Sequence, residues 1–178
     1  MSMQRPTVQY YEHNEIITCI SAHPRQQDVF FSGSKDCVIK MWDKRVPDRS
    51  AATLQGHSAM ITCLDSFDYS LVSGAINNNL LVWDMRNSAA PVSNVNLDQG
   101  PILKIAAAQT SGNVGAAGLV AVSSMKGLFL LRVSDQKGFK AVRESRDTQP
   151  YHDLKWTGET LWAAGEDKTI DRYEIVRA

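Results

Sequence analysis

The chain has 178 residues, of which 43% are hydrophobic and 21% charged, a composition typical of one globular domain and not of a disordered segment. Its 19 basic and 19 acidic residues balance, so the sequence as a whole generates no basic field that would attract nucleic acid. No apolar run approaches the roughly 18 residues of a membrane helix, and the N-terminus lacks the apolar region of a secretory signal. We therefore expect neither a membrane span nor direct nucleic-acid binding.

The predicted elements are short strands. The run Thr7–Tyr11 predicts an outermost strand at the start of the chain. Three more runs follow, each rich in β-branched or aromatic residues and bounded by turn residues: Ile16–Ile20, Val29–Ser32 and Val38–Trp42. Because Asp43 comes next, this segment ends in Trp-Asp.

The same pattern returns 41 residues later, where Trp83 and Asp84 repeat Trp42 and Asp43. The three strands recur as Met60–Leu64, Ser70–Ser73 and Leu80–Trp83. No stretch of about 12 residues shows the apolar period of a helix. An all-β fold, either a propeller or a sandwich, is therefore predicted.

A third and a fourth unit are less regular. In the third, Val120–Arg132 replaces two strands without Trp-Asp, and the loop Gln109–Gly118 lengthens the unit. The fourth runs through Leu161–Ile170 and has Tyr173-Glu174 at the Trp-Asp position. Turn-rich segments lead into the predicted outer strands Ala51–Leu54 and Pro91–Val95. The predicted units are 5–45, 51–86, 91–133 and 139–176.

Repeats of this length that end in Trp-Asp resemble the blades of a WD-repeat β-propeller. The resemblance implies an all-β propeller of about four blades, partial or completed by dimerisation or a partner. It also implies a hydrogen-bonded chain in each blade that joins a His, a Ser or Thr, an Asp and the Trp. The matching residues are His13, Ser32, Asp36 and Trp42 in the first unit, His57, Ser73, Asn77 and Trp83 in the second, and Asp167 in the fourth.

Such a chain is chemically reasonable. An imidazole donates to a carboxylate and accepts from a hydroxyl, and a buried indole N–H needs a partner. Asn77 retains an acceptor but has no charge, so the second network is expected to be weaker. A hydrolase triad is the competing interpretation of Ser, His and Asp, but no nucleophile elbow or oxyanion loop accompanies them.

No cofactor or metal site is predicted. The three cysteines, Cys19, Cys37 and Cys63, lie in apolar strand-like runs without zinc spacing, so we expect buried reduced thiols in a cytoplasmic or nuclear protein. His23 and His152 are expected in loops or on the surface. Gly33, Gly74 and Gly165 are expected at turns, and they form no nucleotide-binding loop.

Both Trp-Asp pairs continue to an arginine, as Trp42-Asp43-Lys44-Arg45 and Trp83-Asp84-Met85-Arg86. This pattern resembles the box of WD proteins that serve as substrate receptors of cullin–RING ubiquitin ligases. The resemblance implies that Arg45 and Arg86 lie on the wide face of the disc and contact the adaptor. The alternative is that each arginine forms a salt bridge between blades.

The narrow face, which propellers of this kind use for peptides and partner domains, is expected to present a second set of side chains. The candidates for partner binding there are Asn14, Glu15, Lys35, Ala59 and Ile76. An exposed isoleucine in a tight turn suggests a contact, although a single apolar residue needs no explanation.

Four blades are fewer than WD propellers usually have, and a free half-disc would expose apolar faces and open edges. Three alternatives account for the missing blades. The chain dimerises into an eight-bladed disc, it completes a disc with blades from another protein, or it is a four-bladed closure or a truncated product. We expect a non-catalytic scaffold for protein–protein contacts in a larger complex or homodimer. A ligase substrate receptor and a structural subunit of a ribonucleoprotein complex are the competing functions.

Overall fold

A computed structural model describes residues 8–46, 48–87, 90–109, 118–134, 138–144 and 149–174. These residues form antiparallel sheets, each a simple meander of neighbouring strands. The strands are β1 Ile17–Ala22, β2 Val29–Ser34, β3 Val38–Asp43 and β4 Ala52–Gln55 in blade 1; β5 Ile61–Phe67, β6 Ser70–Ala75, β7 Asn79–Asp84 and β8 Ser93–Asn96 in blade 2; β9 Ile102–Ala107, β10 Leu119–Ser124, β11 Gly127–Ser134 and β12 Gly138–Glu144 in blade 3; and β13 Tyr151–Thr157, β14 Thr160–Gly165 and β15 Ile170–Glu174 in blade 4. The all-β prediction is confirmed.

Each blade packs face to face on the next through apolar side chains of its strands. One buried cluster joins blades 1 and 2 around Phe31, Leu71 and Trp83. A second joins blades 2 and 3, and a third joins blades 3 and 4. The first strands β1, β5, β9 and β13 contact one another in succession, so they form the inner side of the stack.

A register shift interrupts the same position of every inner strand. It falls between Ile17 and Cys19 in blade 1 and between Ile61 and Cys63 in blade 2, with counterparts in blades 3 and 4. A bulge of this kind bends a strand and increases its twist. The shared bulge therefore helps each inner strand to turn away from its neighbour.

Gly33 and Gly74 lie inside β2 and β6, which corrects the expectation that they mark turns. A β-carbon on Gly33 would lie 2.7 Å from Cγ2 of Ile61, and one on Gly74 would lie 2.6 Å from Cγ2 of Ile102. These glycines let the inner strand of the next blade approach closely.

The stack of blades is open. Packed contacts join blades 1 and 2, 2 and 3, and 3 and 4, whereas Ile17 and Ile20 on blade 1 and Trp162 and Ile170 on blade 4 are exposed. The structure is therefore a partial propeller and not a four-bladed closure.

Among the residues that the structure describes, no helix is long and apolar enough to cross a membrane.

Two expectations at the ends of elements need correction. Val8–Tyr11 form no strand, and residue 7 lies outside the described residues, as do residues 110–117 of the loop predicted to lengthen the third unit. Cys37 lies in the turn between β2 and β3 with a positive φ of 67°, and not in an apolar strand. Cys63 is buried, and Cys19 and Cys37 are partly so.

Candidate functional site

A hydrogen-bonded chain crosses blade 1 from its third strand to the loop before its first. The indole Nε1–H of Trp42 donates to Ser32 Oγ over 2.7 Å, and Ser32 Oγ lies 2.8 Å from His13 Nε2. His13 Nδ1 lies 2.8 Å from Asp36 Oδ2. The structure therefore brings together all four residues that the resemblance to WD repeats assigns to this blade.

The carboxylate of Asp36 closes the chain and also holds the turns around it. Its Oδ2 accepts from the backbone N–H of Asn14, and its Oδ1 accepts from that of Val38, each over 3.0 Å. Burial raises the pKa of Asp36, but the hydrogen bonds from His13, Asn14 and Val38 outweigh it and leave the pKa below its usual value. The carboxylate is therefore ionised and satisfied.

Blade 2 has only part of this hydrogen-bonded network. Trp83 Nε1–H donates to Ser73 Oγ over 2.9 Å, and Ser73 Oγ lies 2.6 Å from His57 Nε2. Asn77 donates from Nδ2 to Ser58 Oγ, 3.1 Å away, instead of contacting the imidazole. Within the described residues, His57 Nδ1 and Asn77 Oδ1 are buried without a hydrogen-bond partner. Burial lowers the pKa of His57 from 6.5 to about 4.

Blades 3 and 4 have other contacts in place of the hydrogen-bonded network. In blade 3, Val122 and Leu131 occupy the positions of the Ser and the Trp, and both are buried. In blade 4, Tyr151 Oη donates to Asp171 Oδ2 over 2.5 Å and lies 2.8 Å from Tyr173 Oη. Asp167, predicted to belong to the network, instead accepts from the backbone N–H and the hydroxyl of Thr169.

These serines are not placed as nucleophiles. Ser32 and Ser73 are buried inside strands, and each hydroxyl already accepts from an indole N–H. No substrate carbonyl would reach such a hydroxyl. The polar chains therefore stabilise the blades, and the structure gives no support to a hydrolase triad.

The arginines after the Trp-Asp pairs are exposed and held within their own turns. Arg45 forms a two-pronged ion pair with Asp43, with Nε to Oδ1 at 2.9 Å and Nη2 to Oδ2 at 2.6 Å. Arg86 pairs with Asp84 in the same way and also lies over the ring of Tyr69. The Arg45 guanidinium lowers the pKa of Asp43 to about 2. The ion pairs of Arg45 with Asp43 and of Arg86 with Asp84 each lie within one blade.

The turns between the second and third strands present one side chain each at equivalent positions. Lys35, Ile76, Met125 and Glu166 directly follow the last residue of β2, β6, β10 and β14, and all four are exposed. We call these four residues the turn row. The sequence analysis named Lys35 and Ile76 as candidates but not Met125, whose unit lacks Trp-Asp.

The remaining candidates of this face flank the turn row. Asn14 and Glu15 are exposed, and the carbonyl oxygen of Glu15 accepts from Ser34 Oγ over 3.2 Å. Ala59 is half-buried in the loop before β5. The structure thus offers Asn14 and Glu15 to a partner more openly than Ala59.

His23 lies in the loop after β1, as expected. It is buried there, stacks on Phe31, and accepts at Nδ1 from the backbone N–H groups of Arg25 and Gln26. Burial lowers its pKa. His152 is exposed and lies beside Glu166. In the part of the chain that the structure describes, no three His, Cys, Asp or Glu side chains could hold a metal ion together.

The meandering sheets, of four strands in blades 1 to 3 and three described strands in blade 4, stack face to face around their inner strands, which defines the chain as a β-propeller protein. Its fold resembles that of a solved structure, "Crystal structure of the computationally designed Ika4 protein", with a TM-score of 0.78 over 98% of this chain and 100% of that chain. The two sequences are 19% identical, so the likeness concerns the fold alone.

The family model "WD domain, G-beta repeat" matches residues 4–43 and 48–84. Over 73 residues, 41% of the chain, the sequence is 37% identical to "Nuclear distribution protein nudF 2" of Aspergillus clavatus. Over 88 residues, 48% of the chain, it is 31% identical to "WD repeat-containing protein 37" of Homo sapiens. A more distant relative, 27% identical over 81 residues (44% of the chain), is the human "Diphthine methyltransferase".

The chain is thus similar to the WD-repeat family over its first two blades. The matched segments span only 16%, 18% and 17% of these three relatives. WD-repeat domains generally mediate protein–protein contacts in complexes and are generally not enzymes.

Proposed function

We propose that the chain is a non-catalytic scaffold that binds other proteins within a multi-subunit assembly of the cytoplasm or nucleus, and that the turn row is its principal contact. The observation that carries the proposal is the exposure of Ile76 and Met125, 44% and 49%, at equivalent positions of neighbouring blades. Exposed apolar side chains that cluster on one face of a soluble protein mark interaction sites.

The charges of the turn row narrow the kind of partner. Lys35 lies on the blade before Ile76, and Glu166 lies on the blade after Met125. A partner segment with an apolar centre, acidic toward Lys35 and basic toward Glu166, complements this order. Apolar contact supplies affinity, and the flanking charges fix the direction of the segment.

The proposal is tested by a matched pair of double variants. Ile76→Ser with Met125→Ser removes the apolar centre, whereas Val46→Ser with Val92→Ser changes two side chains of similar exposure in the loops after the third strands. Proteins that co-purify with the tagged wild-type chain are quantified for each variant. We expect the first pair to lose the partners and the second to retain them; partners that survive the first pair would contradict the proposal.

A ubiquitin-ligase receptor is the second candidate, because Arg45 and Arg86 are exposed and each is oriented by an aspartate. A guanidinium fixed in this way is prepared for a carboxylate or carbonyl of an adaptor. Replacing both arginines with alanine then abolishes co-purification of the adaptor while the folded fraction is unchanged. If the adaptor is absent from the wild-type sample or is retained by the variant, this candidate fails.

A further inference from the structure

The two ends of the blade stack expose apolar faces. Ile20 on β1 is 67% exposed, and Trp162 on β14 is 39% exposed. Ile17 extends the first face and Ile170 the second. Within the described residues these side chains do not cover each other, so both faces are open.

The contact between blades 1 and 2 shows what the free face of blade 1 is built to receive. Ile61 and Leu64 of blade 2 are buried against blade 1, and they lie 44 residues after Ile17 and Ile20. Blade 1 thus repeats the apolar side chains that blade 2 uses to pack on the blade before it. The free face of blade 1 therefore matches the faces through which blades 2, 3 and 4 each pack on the blade before them.

The segment 8–11 already occupies part of this face. The ring of Tyr10 packs edge-on against Phe30 and Trp42, with centroids 5.3 and 5.1 Å apart. Leu54 of β4, which lies 44 residues after Tyr10, has the same relation to blade 2, where it is buried beside Trp83. Segment 8–11 therefore lies where the outer strand of a blade packed on this face would lie.

An ion pair fixes the segment there. Lys40 Nζ lies 3.0 Å from Glu12 Oε2, and the backbone N–H of Ser50 donates to Glu12 Oε1 over 2.9 Å. Both partners belong to blade 1, so the segment is held against this face before any neighbouring blade arrives.

The described sheet of blade 4 lacks the kind of strand that segment 8–11 would supply. Among the described residues its sheet contains three strands, and no strand pairs with the outer edge of β15. Within the described residues, segment 8–11 thus lies at the position of an outer strand but pairs with no sheet, and the sheet of blade 4 lacks an outer strand. An exposed sheet edge pairs readily with another chain.

We propose that two copies of this chain join head to tail at both ends and form one closed eight-bladed disc. Blade 4 of each copy packs on blade 1 of the other, and segment 8–11 of each copy pairs with β15 of the other. Two identical heterologous contacts related by a two-fold axis close the ring, and eight blades lie within the range of known propellers.

Light scattering of the purified 178-residue chain tests the inference, with circular dichroism to check that each variant is folded. We expect twice the 19.7 kDa mass of one chain. The variants Ile20→Glu and Trp162→Glu each place a charge on one of the two faces, and we expect either to raise the dimer dissociation constant roughly tenfold or more. Val92→Glu, a similar change at an exposed residue of the loop between β7 and β8, should remain dimeric.

A mixture of the two monomeric variants separates this arrangement from a symmetric contact of one face with itself. Mixing leaves one unmodified contact, between Trp162 of one chain and Ile20 of the other, so mixed dimers should form. A folded monomer of the wild-type chain, an aggregated or unfolded chain, or a folded Ile20→Glu dimer would overturn the proposal. These outcomes do not depend on the turn row. The proposed scaffold function is tested separately, by the variants of Ile76 and Met125.

Discussion

Blades 1 and 2 repeat each other in sequence and share the same Trp–Ser–His hydrogen bonds. They differ at the fourth residue of the hydrogen-bonded network, which is Asp36 in blade 1 and Asn77 in blade 2. In blade 1 the carboxylate of Asp36 accepts from His13 and from two backbone N–H groups. In blade 2 Asn77 turns to Ser58 and leaves His57 Nδ1 unpaired within the described residues. The indole, hydroxyl and imidazole therefore form the part of the network that the fold retains without the carboxylate.

The difference also changes how the two blades depend on acid. His57 is buried without a negative partner, so its charged form is disfavoured and its pKa falls to about 4. Asp36 supplies such a partner to His13, and its own pKa is lowered. One difference between the repeats thus replaces an imidazole beside an ionised carboxylate with a buried imidazole that has no acidic partner.

The largest expected effect breaks the complete network. Asp36→Ala leaves His13 and two backbone N–H groups without their acceptor, and we expect it to lower the free energy of unfolding by about 3–5 kcal/mol. Asn77→Ala in blade 2 removes one hydrogen bond to Ser58 and should cost less than about 1 kcal/mol. Urea unfolding at pH 7 measures both. Equal losses would show that the position contributes alike in the two blades.

The second prediction concerns pH. Because the pKa of His57 is about 4 in the folded chain and near 6.5 when unfolded, the unfolded state binds more protons between these values. The contribution of neutral His57 is therefore fully present above pH 6.5 and is lost as the pH falls to 4, which amounts to about 3 kcal/mol.

A variant isolates this histidine from other titrating groups. His57→Gln retains an amide that accepts from Ser73 but does not titrate. We expect the free energy of unfolding of the wild-type chain to fall more steeply than that of the variant between pH 6.5 and 4. Parallel curves would mean that His57 titrates alike in both states.

Much of the fold could be predicted because the strand pattern and Trp-Asp pairs recur at a fixed distance. Most of the predicted strands are present, and the residues of the first network meet as the resemblance implies. Local turn chemistry and alternation determine these features, so a single sequence reveals them.

The features that were missed depend on contacts between distant residues. The sequence does not show that His23 stacks on Phe31, or that Tyr151, Asp171 and Tyr173 replace the network in blade 4. Asn77 was predicted to weaken its network as a neutral acceptor, but its amide points to Ser58 instead. Side-chain direction within a turn follows from packing, and residue type alone does not determine it.

The smallest expected effect restores the missing partner. Asn77→Asp places a carboxylate at the position that Asp36 occupies beside His13. We expect His57 Nδ1–H to donate to it, since a charged acceptor attracts a buried donor more strongly than an amide oxygen does. The burial of the new charge offsets part of the gain, so the free energy of unfolding at pH 7 should rise by about 1 kcal/mol.

The pH profile of the same variant distinguishes this pairing from a general surface effect. A carboxylate beside His57 stabilises the imidazolium, so the pKa of His57 should rise toward its ordinary value and the loss of stability between pH 6.5 and 4 should shrink. The imidazole resonances, followed by NMR during an acid titration, report that pKa directly, with Asn77→Ala as the reference. If the pKa of His57 stays near 4 in Asn77→Asp, the new carboxylate points to Ser58 as the amide does, and the backbone of the turn, not the charge at position 77, separates the two blades.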